Sequence, residues 1–172
     1  MQRYINAIEA SLSSENWYAA LGIALMMPDV CSGLEEGYGR GRSRYIEWFD
    51  TYMLRKYTYN HAISGPIIFL NGRNCYALRC AYLHQGSEDL SQHEVRENLD
   101  RIKFTTSGTH CGRINNLLIL NVHEFCRDIC ESVREWILNR MSIDPKIQER
   151  ARDLIGFGDG FVLSGTQTSA RP

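Results

Sequence analysis

Apolar residues recur at the spacing of an α-helix through the first quarter of the chain. Two helices are expected, over residues 2–12 and from about residue 17, and their apolar positions are Ile5, Ile8, Leu12, Trp17, Leu21, Ala24 and Leu25. Ser13 and Ser14 are expected to separate the two helices and to cap the second. Pro28 is expected to kink the second helix or to end it. We expect the apolar side of this second helix to form the hub of the core.

Two more helices are expected before residue 90. Ser43 is expected to cap a third helix, whose apolar stripe is Tyr45, Trp48, Phe49, Tyr52 and Met53. Residues 63–70 combine a Gly65-Pro66 turn signal with an apolar run that fits either a strand or a helix. A fourth helix is expected over residues 73–85, with Gly86 as its C-cap.

The last part of the chain changes from a strand pattern to a helix pattern. Apolar residues alternate over 102–106 and run together over 117–120, which predicts a small β-hairpin at about 101–121. Asn121 and Glu124 resemble a capping pair at the start of a long helix that extends to about residue 141. Asp144 and Pro145 suit the cap and first turn of a last short helix.

These elements predict a mainly α fold, a single-domain helical bundle of five to six helices with the β-hairpin inserted. The 172 residues suffice for one domain with a real core. We expect that domain over residues 1–164 and a flexible tail over 165–172.

Composition indicates an ordinary soluble protein. The apolar fraction is 44%, the charged fraction 23% and the net charge −1, so no global field recruits nucleic acid. Residues 1–6 lack the basic and apolar blocks of a signal peptide, and the longest apolar stretch, 19–27, is too short for a membrane span. We therefore expect a cytoplasmic protein without membrane contact, in which the six cysteines are reduced.

The segment 78–86 carries the strongest chemical signal. Arg79 and His84 lie within an otherwise apolar helical run, where charged groups are rarely found without partners or a use. Arginine can hold a phosphate and histidine can move a proton near neutral pH. On an ideal helix residues five apart point about 140° apart, so the two side chains converge only if the helix bends or ends near His84, or if two chains meet. A second such pair, Arg55 and His61, spans the end of a helix instead.

A structural interpretation of the same pair stays open. Arg79 would then pair with a buried carboxylate such as Asp29, Glu35 or Glu36, and His84 would donate a hydrogen bond to a backbone carbonyl.

An all-helical domain with Arg-x4-6-His on a late core helix resembles the HEPN superfamily (higher eukaryote and prokaryote nucleotide-binding). The resemblance covers roughly residues 14–141, and its specific motif is Arg79 and His84. This chain differs from the family in two ways: it carries Cys80 where the family often has a small polar residue, and it contains the inserted hairpin. Segments 27–31 and 78–86 also resemble a group of bacterial proteins of unknown function.

The HEPN resemblance implies a homodimeric, metal-independent endoribonuclease of a toxin or antiphage system, or an inactive binding module. It implies that His84 acts on the ribose 2′-hydroxyl or on the leaving group, while Arg79 steadies the phosphate charge. Cleavage of this kind leaves a 2′,3′-cyclic phosphate. RNA, a second copy of the chain and a partner or antitoxin protein are the expected partners, and no cofactor is expected.

Two weaker constellations are also present. Residues 33–43 form a glycine-rich loop with Arg40 and Arg42, which fits a flexible connector or a phosphate-binding loop. His123, Cys126 and Cys130 share one helix face and could begin a zinc site with His110 or Cys111, although buried core thiols are the favoured interpretation and no metal site is expected.

The sequence therefore leaves three functional hypotheses. The first is a HEPN-like RNA-acting protein with Arg79 and His84 as its site. The second is a non-catalytic helical interaction or regulatory module, and the third is a small zinc-binding domain.

Overall fold

The computed structural model describes residues 1–35, 41–63 and 65–157. Within these ranges the mainly α fold is confirmed, with six α-helices: Gln2–Ser13 (α1), Trp17–Leu34 (α2), Arg42–Tyr52 (α3), Gly72–Gln85 (α4), Val122–Trp136 (α5) and Pro145–Arg152 (α6). A 3-10 turn over Leu54–Tyr57 follows α3, and a π-helical turn over Ile137–Met141 continues α5. The predicted domain end at residue 164 and the tail 165–172 lie outside the described residues.

The β-structure is more extensive than the single predicted hairpin. Strands Thr58–His61 (β1) and Gly65–Ile68 (β2) pair antiparallel, and β2 lies in the segment 63–70 that the sequence left undecided. A three-stranded sheet contains Arg101–Thr105 (β3), Gly112–Ile114 (β4) and Leu117–Asn121 (β5), in the order β3-β5-β4.

The predicted pairing of the two apolar runs needs a correction. The small hairpin is formed by β4 and β5, whereas β3 lies parallel to β5, with Ile102 opposite Leu118. Parallel neighbours need a connection that crosses from one end of the strands to the other. The chain between residues 105 and 117 provides it, and β4 forms on the way at the far edge of the sheet.

Helix α2 is the centre of the bundle, as expected from its apolar pattern. It packs against α1, α3, α4, α5 and α6. Pro28 neither ends nor interrupts it, because the helix continues to Leu34 with Pro28 buried. In the turn before Pro28, the carbonyl of Leu25 accepts a hydrogen bond of 3.1 Å from the Tyr45 hydroxyl. Tyr45 of α3 thus binds α2 one residue after Ala24, whose carbonyl has no helical donor because Pro28 lacks an N–H.

The length and apolar composition of α2 also meet the criteria for a membrane-crossing helix, which the shorter apolar stretch seen in the sequence did not. Its 18-residue window has a mean hydropathy of 1.3, and half of the window is buried within the protein. That burial is typical of the core helix of a soluble protein.

One continuous core joins the helices to the three-stranded sheet. Its largest fully buried side chains include Trp48 of α3, Trp136 of α5 and Tyr57 of the 3-10 turn. Ile102 of β3 and Leu118 and Leu120 of β5 extend the same core onto one face of the sheet.

Three predicted capping residues are confirmed, although Glu124 does not complete a capping pair, because the backbone N–H of Asn121 donates to His110 Nδ1. Asn121 accepts hydrogen bonds from the backbone N–H groups of His123 and Glu124 at the start of α5, and Asp144 caps α6. Gly86 ends α4 in the left-handed conformation, at φ 62°. Two predicted caps are wrong: Asn16, not a serine, caps α2, and α3 begins at Arg42, so Ser43 lies inside its first turn.

Gly72, the first residue of α4, fixes the distance between α3 and α4. A Cβ atom at this position would lie 2.5 Å from the backbone oxygen of Ile46. The N–H of Gly72 also donates to Asp50 Oδ1 at 2.7 Å. Because the opposing atoms belong to the backbone of α3, they cannot move aside as a flexible side chain would.

We expect Gly72→Ala to lower the free energy of unfolding by about 2 kcal/mol, the usual cost of forcing atoms into a packed interior. Urea unfolding followed by circular dichroism measures it. Gly33→Ala is the matched control, because nothing lies within 4 Å of its added Cβ in the described structure and Gly33 is exposed on α2. Equal stability of the two variants would contradict the close approach.

Candidate functional site

Arg79 and His84 meet within one chain at the end of α4. Arg79 Nη1 lies 3.1 Å from His84 Nε2. Of the two routes to convergence that the sequence left open, the structure shows the one in which the helix ends near His84.

The early end of α4 explains how two residues that point 140° apart can touch. Side chains on a helix lean toward its N-terminus, so His84 leans back along the helix toward Arg79. After Gly86 the chain leaves in the left-handed conformation, and no further helical turn covers the last one. The long arginine side chain covers the remaining distance across the helix surface.

Asp29 of α2 holds the guanidinium from the other side. Arg79 Nε donates to Asp29 Oδ2 at 3.0 Å, with about a quarter of each side chain exposed. Burial by itself would lower the pKa of Arg79, but the charge of Asp29 and hydrogen bonds to Asp29 and Cys80 raise it above its ordinary value. The arginine is therefore a fixed cation with its plane oriented by α2.

Asp29 is one of the three carboxylates considered for a structural pairing of Arg79. Glu35 is used elsewhere: its fully buried side chain accepts from Trp136 Nε1 and from Arg140 Nε, the latter at 2.8 Å. Glu36 lies outside the described residues. The other half of that interpretation, a bond from His84 to a backbone carbonyl, is replaced by the contact with Arg79.

Residues 36–40 of the glycine-rich loop, Arg40 among them, lie outside the described residues. Arg42 is the exposed first residue of α3, and in the described part of the chain it shares no hydrogen bond or ion pair with Arg79 or His84. Its role as a ligand-binding residue stays a prediction.

The zinc hypothesis finds no support in the described ranges, where no group of three or more His, Cys, Asp or Glu side chains could hold a metal ion. Cys126 and Cys130 lie in the core, and burial raises their pKa to about 12 and about 11. The His123 ring packs edge-on against Trp17, at 4.6 Å between ring centroids.

A second polar cluster, centred on Asp128 of α5, was not found from the sequence. Asp128 accepts from Lys56 Nζ at 3.2 Å and from the Tyr57 hydroxyl at 3.1 Å. His110 Nε2 lies 3.9 Å from Asp128 Oδ2. These residues come from the 3-10 turn, the β3–β4 connection and α5, so no sequence spacing relates them. The available signal was one aspartate beside the apolar stripe of α5.

His110 is held in its neutral form by its surroundings. Its Nδ1 accepts a hydrogen bond of 3.2 Å from the backbone N–H of Asn121, which places the ring proton on Nε2. Burial lowers the pKa of His110 and outweighs the opposing charges of Asp128 and Glu124. The separation of 3.9 Å and the other partners of Asp128 explain why this carboxylate does not reverse the effect.

No protein-family model, curated protein or solved structure matches the chain. The resemblance to the HEPN superfamily therefore depends on Arg79, His84 and the helical body that carries them.

The lowered pKa of His110 predicts how stability changes with pH. The unfolded chain binds a proton near pH 6.5, but the folded chain binds it only at lower pH, so folding loses stability as the pH falls below about 6.5. In His110→Asn the amide oxygen can still accept from the N–H of Asn121, but nothing titrates. We expect urea unfolding at pH 7.5 and 5.5 to show a smaller loss for His110→Asn than for wild type. Equal losses would contradict the neutral His110.

Proposed function

We propose that this protein is a HEPN-like, metal-independent endoribonuclease with Arg79 and His84 as its catalytic pair. The observation that carries the proposal is the 3.1 Å contact between Arg79 Nη1 and His84 Nε2 at the exposed end of α4. It places a fixed cation and a proton acceptor side by side, which cleavage of a phosphodiester by the neighbouring 2′-hydroxyl requires.

The contact also supports a role for His84 as the base. A guanidinium only donates, so His84 Nε2 accepts from Arg79 and the neutral ring carries its proton on Nδ1. Nε2 is therefore the basic atom, next to the group that would hold the phosphate. Because His84 is exposed, a ribose hydroxyl can reach this atom.

Arg79 supplies the positive charge. A guanidinium has five N–H donors, more than its contacts with Asp29, His84 and Cys80 use, and the remaining donors can bind phosphate oxygens. When Arg79 Nη1 turns from His84 to the phosphate, the lone pair of Nε2 becomes free, and Nε2 would take the 2′-hydroxyl proton as the 2′-oxygen bonds to phosphorus. The bond to the 5′-oxygen then breaks, and this oxygen takes a proton from water. The products are a 2′,3′-cyclic phosphate and a 5′-hydroxyl.

The wider assignment follows the same resemblance. We propose a cytoplasmic homodimer of a toxin or antiphage system, with RNA as substrate and a partner or antitoxin protein as its regulator. No cofactor has a part in the proposed reaction.

We expect the purified protein to cleave single-stranded RNA in the presence of EDTA and to leave 2′,3′-cyclic phosphate ends. His84→Ala should lower the cleavage rate at least about 100-fold, the size of a general-base contribution. Gel analysis of end-labelled RNA, with and without phosphatase treatment, measures both effects.

His61→Ala is the matched control for this assay. His61 belongs to the second Arg-x-His pair of the sequence, is exposed and lies on β1. Its substitution should leave the cleavage rate unchanged. Wild-type protein without activity on any RNA tested, or equal activity in wild type and His84→Ala, would contradict the proposal.

The second candidate is a non-catalytic helical interaction or regulatory module. The ion pair between Arg79 and Asp29 favours it, because the arginine already has a carboxylate partner within the protein. In this interpretation the pair joins α4 to α2 and has no part in chemistry.

Stability measurements distinguish the two candidates when they are combined with the cleavage assay. We expect Arg79→Met and Asp29→Asn each to lower the free energy of unfolding by about 1 kcal/mol, as a partly exposed ion pair does, and the double variant to lose less than their sum. His84→Ala should change stability by less than about 0.5 kcal/mol. Loss of cleavage in His84→Ala with unchanged stability supports the enzyme. Loss of stability in Arg79→Met and Asp29→Asn, with no cleavage by the wild-type protein, supports the module.

A further inference from the structure

A cavity of about 480 Å³ lies beside the end of α4, and its lining does not include the catalytic pair. Leu78 and Tyr82 of α4 form one wall, the start of α2 forms a second and β3 forms a third. Its volume falls in the range of small-molecule sites in proteins.

Aromatic side chains make up much of the cavity surface and are held in place by other parts of the fold. Trp17 packs edge-on against the His123 ring. The Tyr82 hydroxyl donates to the backbone carbonyl of Tyr18 at 2.9 Å. Phe104 of β3 packs against Phe125 of the core, at 5.5 Å between ring centroids. Fixed aromatic rings of this kind are the surfaces on which unpaired nucleobases stack.

The charges at the cavity favour a base over a phosphate. Its lining includes no lysine or arginine, and its one ionisable acid is Glu88, at the rim. Glu88 stands 3.8 Å from Arg101 Nε, a weak pairing that leaves carboxylate oxygens able to accept hydrogen bonds. Ser87 Oγ accepts from the N–H of Asp89 at 3.0 Å, so its own proton can be donated to a ligand. An anion would be repelled here, whereas a neutral heterocycle with amino groups would be bound.

The cavity lining and the catalytic pair both draw residues from the last two turns of α4. Tyr82 and Gly86 line the cavity, and His84 lies between them in the sequence. Tyr82 and His84 project about 200° apart around the helix, so a strand of several nucleotides that passes the end of α4, and not a single nucleotide, can contact both places. We propose that the cavity binds one unstacked nucleobase of the RNA strand whose phosphate lies at Arg79, an inference that rests on the proposed function.

Glu88 gives this base site a preference. A carboxylate accepts hydrogen bonds and donates none, so it binds the 4-amino group of cytosine and repels the 4-carbonyl oxygen of uracil. Cytidine and uridine differ at this position and at N3, which accepts a hydrogen bond in cytosine and carries a proton in uracil, and are otherwise identical, so they are a matched pair of probes. Neither nucleoside carries a phosphate, so their binding tests the cavity apart from Arg79.

The experiment is a titration of the full-length His84→Ala protein with cytidine and with uridine, followed by two-dimensional NMR. Cytidine should bind about tenfold more tightly than uridine, the effect of one hydrogen bond to a charged group. The shifted signals should include the indole N–H of Trp17. In Glu88→Gln the amide can also donate to uracil, and the two dissociation constants should approach each other.

A pair of neighbouring variants locates the binding. Thr106 lines the cavity from an exposed position, whereas Ser107 is exposed and does not line it. Thr106→Trp should fill the entrance and weaken cytidine binding at least tenfold, and Ser107→Trp should leave it unchanged. Equal effects of the two variants, or no saturable binding of either nucleoside, would overturn the proposal.

Combining this titration with RNA cleavage separates the two proposals. If the wild-type protein binds cytidine but cleaves no RNA, the proposal of a base site is supported and that of a nuclease is contradicted. In the opposite result, cleavage requires His84, neither nucleoside binds, and Thr106→Trp cleaves at the wild-type rate. This result supports the nuclease and contradicts the base site.

Discussion

Helix α2 needs apolar cover on nearly all sides, and the other helices are arranged to provide it. Its 18 residues contain a single charged side chain, Asp29, and α1, α3, α4, α5 and α6 all pack against it. A charge on such a helix must lie where it can find a partner. Asp29 lies toward α4 and pairs with Arg79, so burial of the core helix also positions the arginine of the candidate site.

The same helix also contributes to the surroundings of the candidate pair Arg79 and His84. Tyr18, near the start of α2, accepts a hydrogen bond from Tyr82 near the end of α4, and Trp17 and Tyr18 both form part of the cavity wall. Asp29, nearer the other end of α2, holds Arg79 one turn earlier on α4. One helix thus contacts both Arg79, for which we propose phosphate binding, and Tyr82 of the cavity wall.

The features that could be predicted from the sequence are local ones. Helical spacing, the Asn121 and Asp144 caps and the left-handed Gly86 depend on residues within one or two turns, so the pattern contains them. The parallel pairing of β3 with β5 depends on the path of the intervening chain, and two apolar runs suit either direction. The pairing of Arg79 with Asp29, 50 residues apart, could be proposed but not selected from three acids. The cluster around Asp128 had only one local signal, that aspartate itself beside the apolar stripe of α5.

The close approach of α3 and α4 at Gly72 has a consequence for tracing the ancestry of this fold. A side chain at this position would collide with the backbone at Ile46, and Asp50 holds the N–H of the same residue. Evolution can replace most core residues with others of similar volume, but glycine is the only residue without a Cβ, so no other residue fits at position 72. Distant descendants of the same ancestor should therefore retain a glycine 22 positions after an aspartate, even where little else can be aligned.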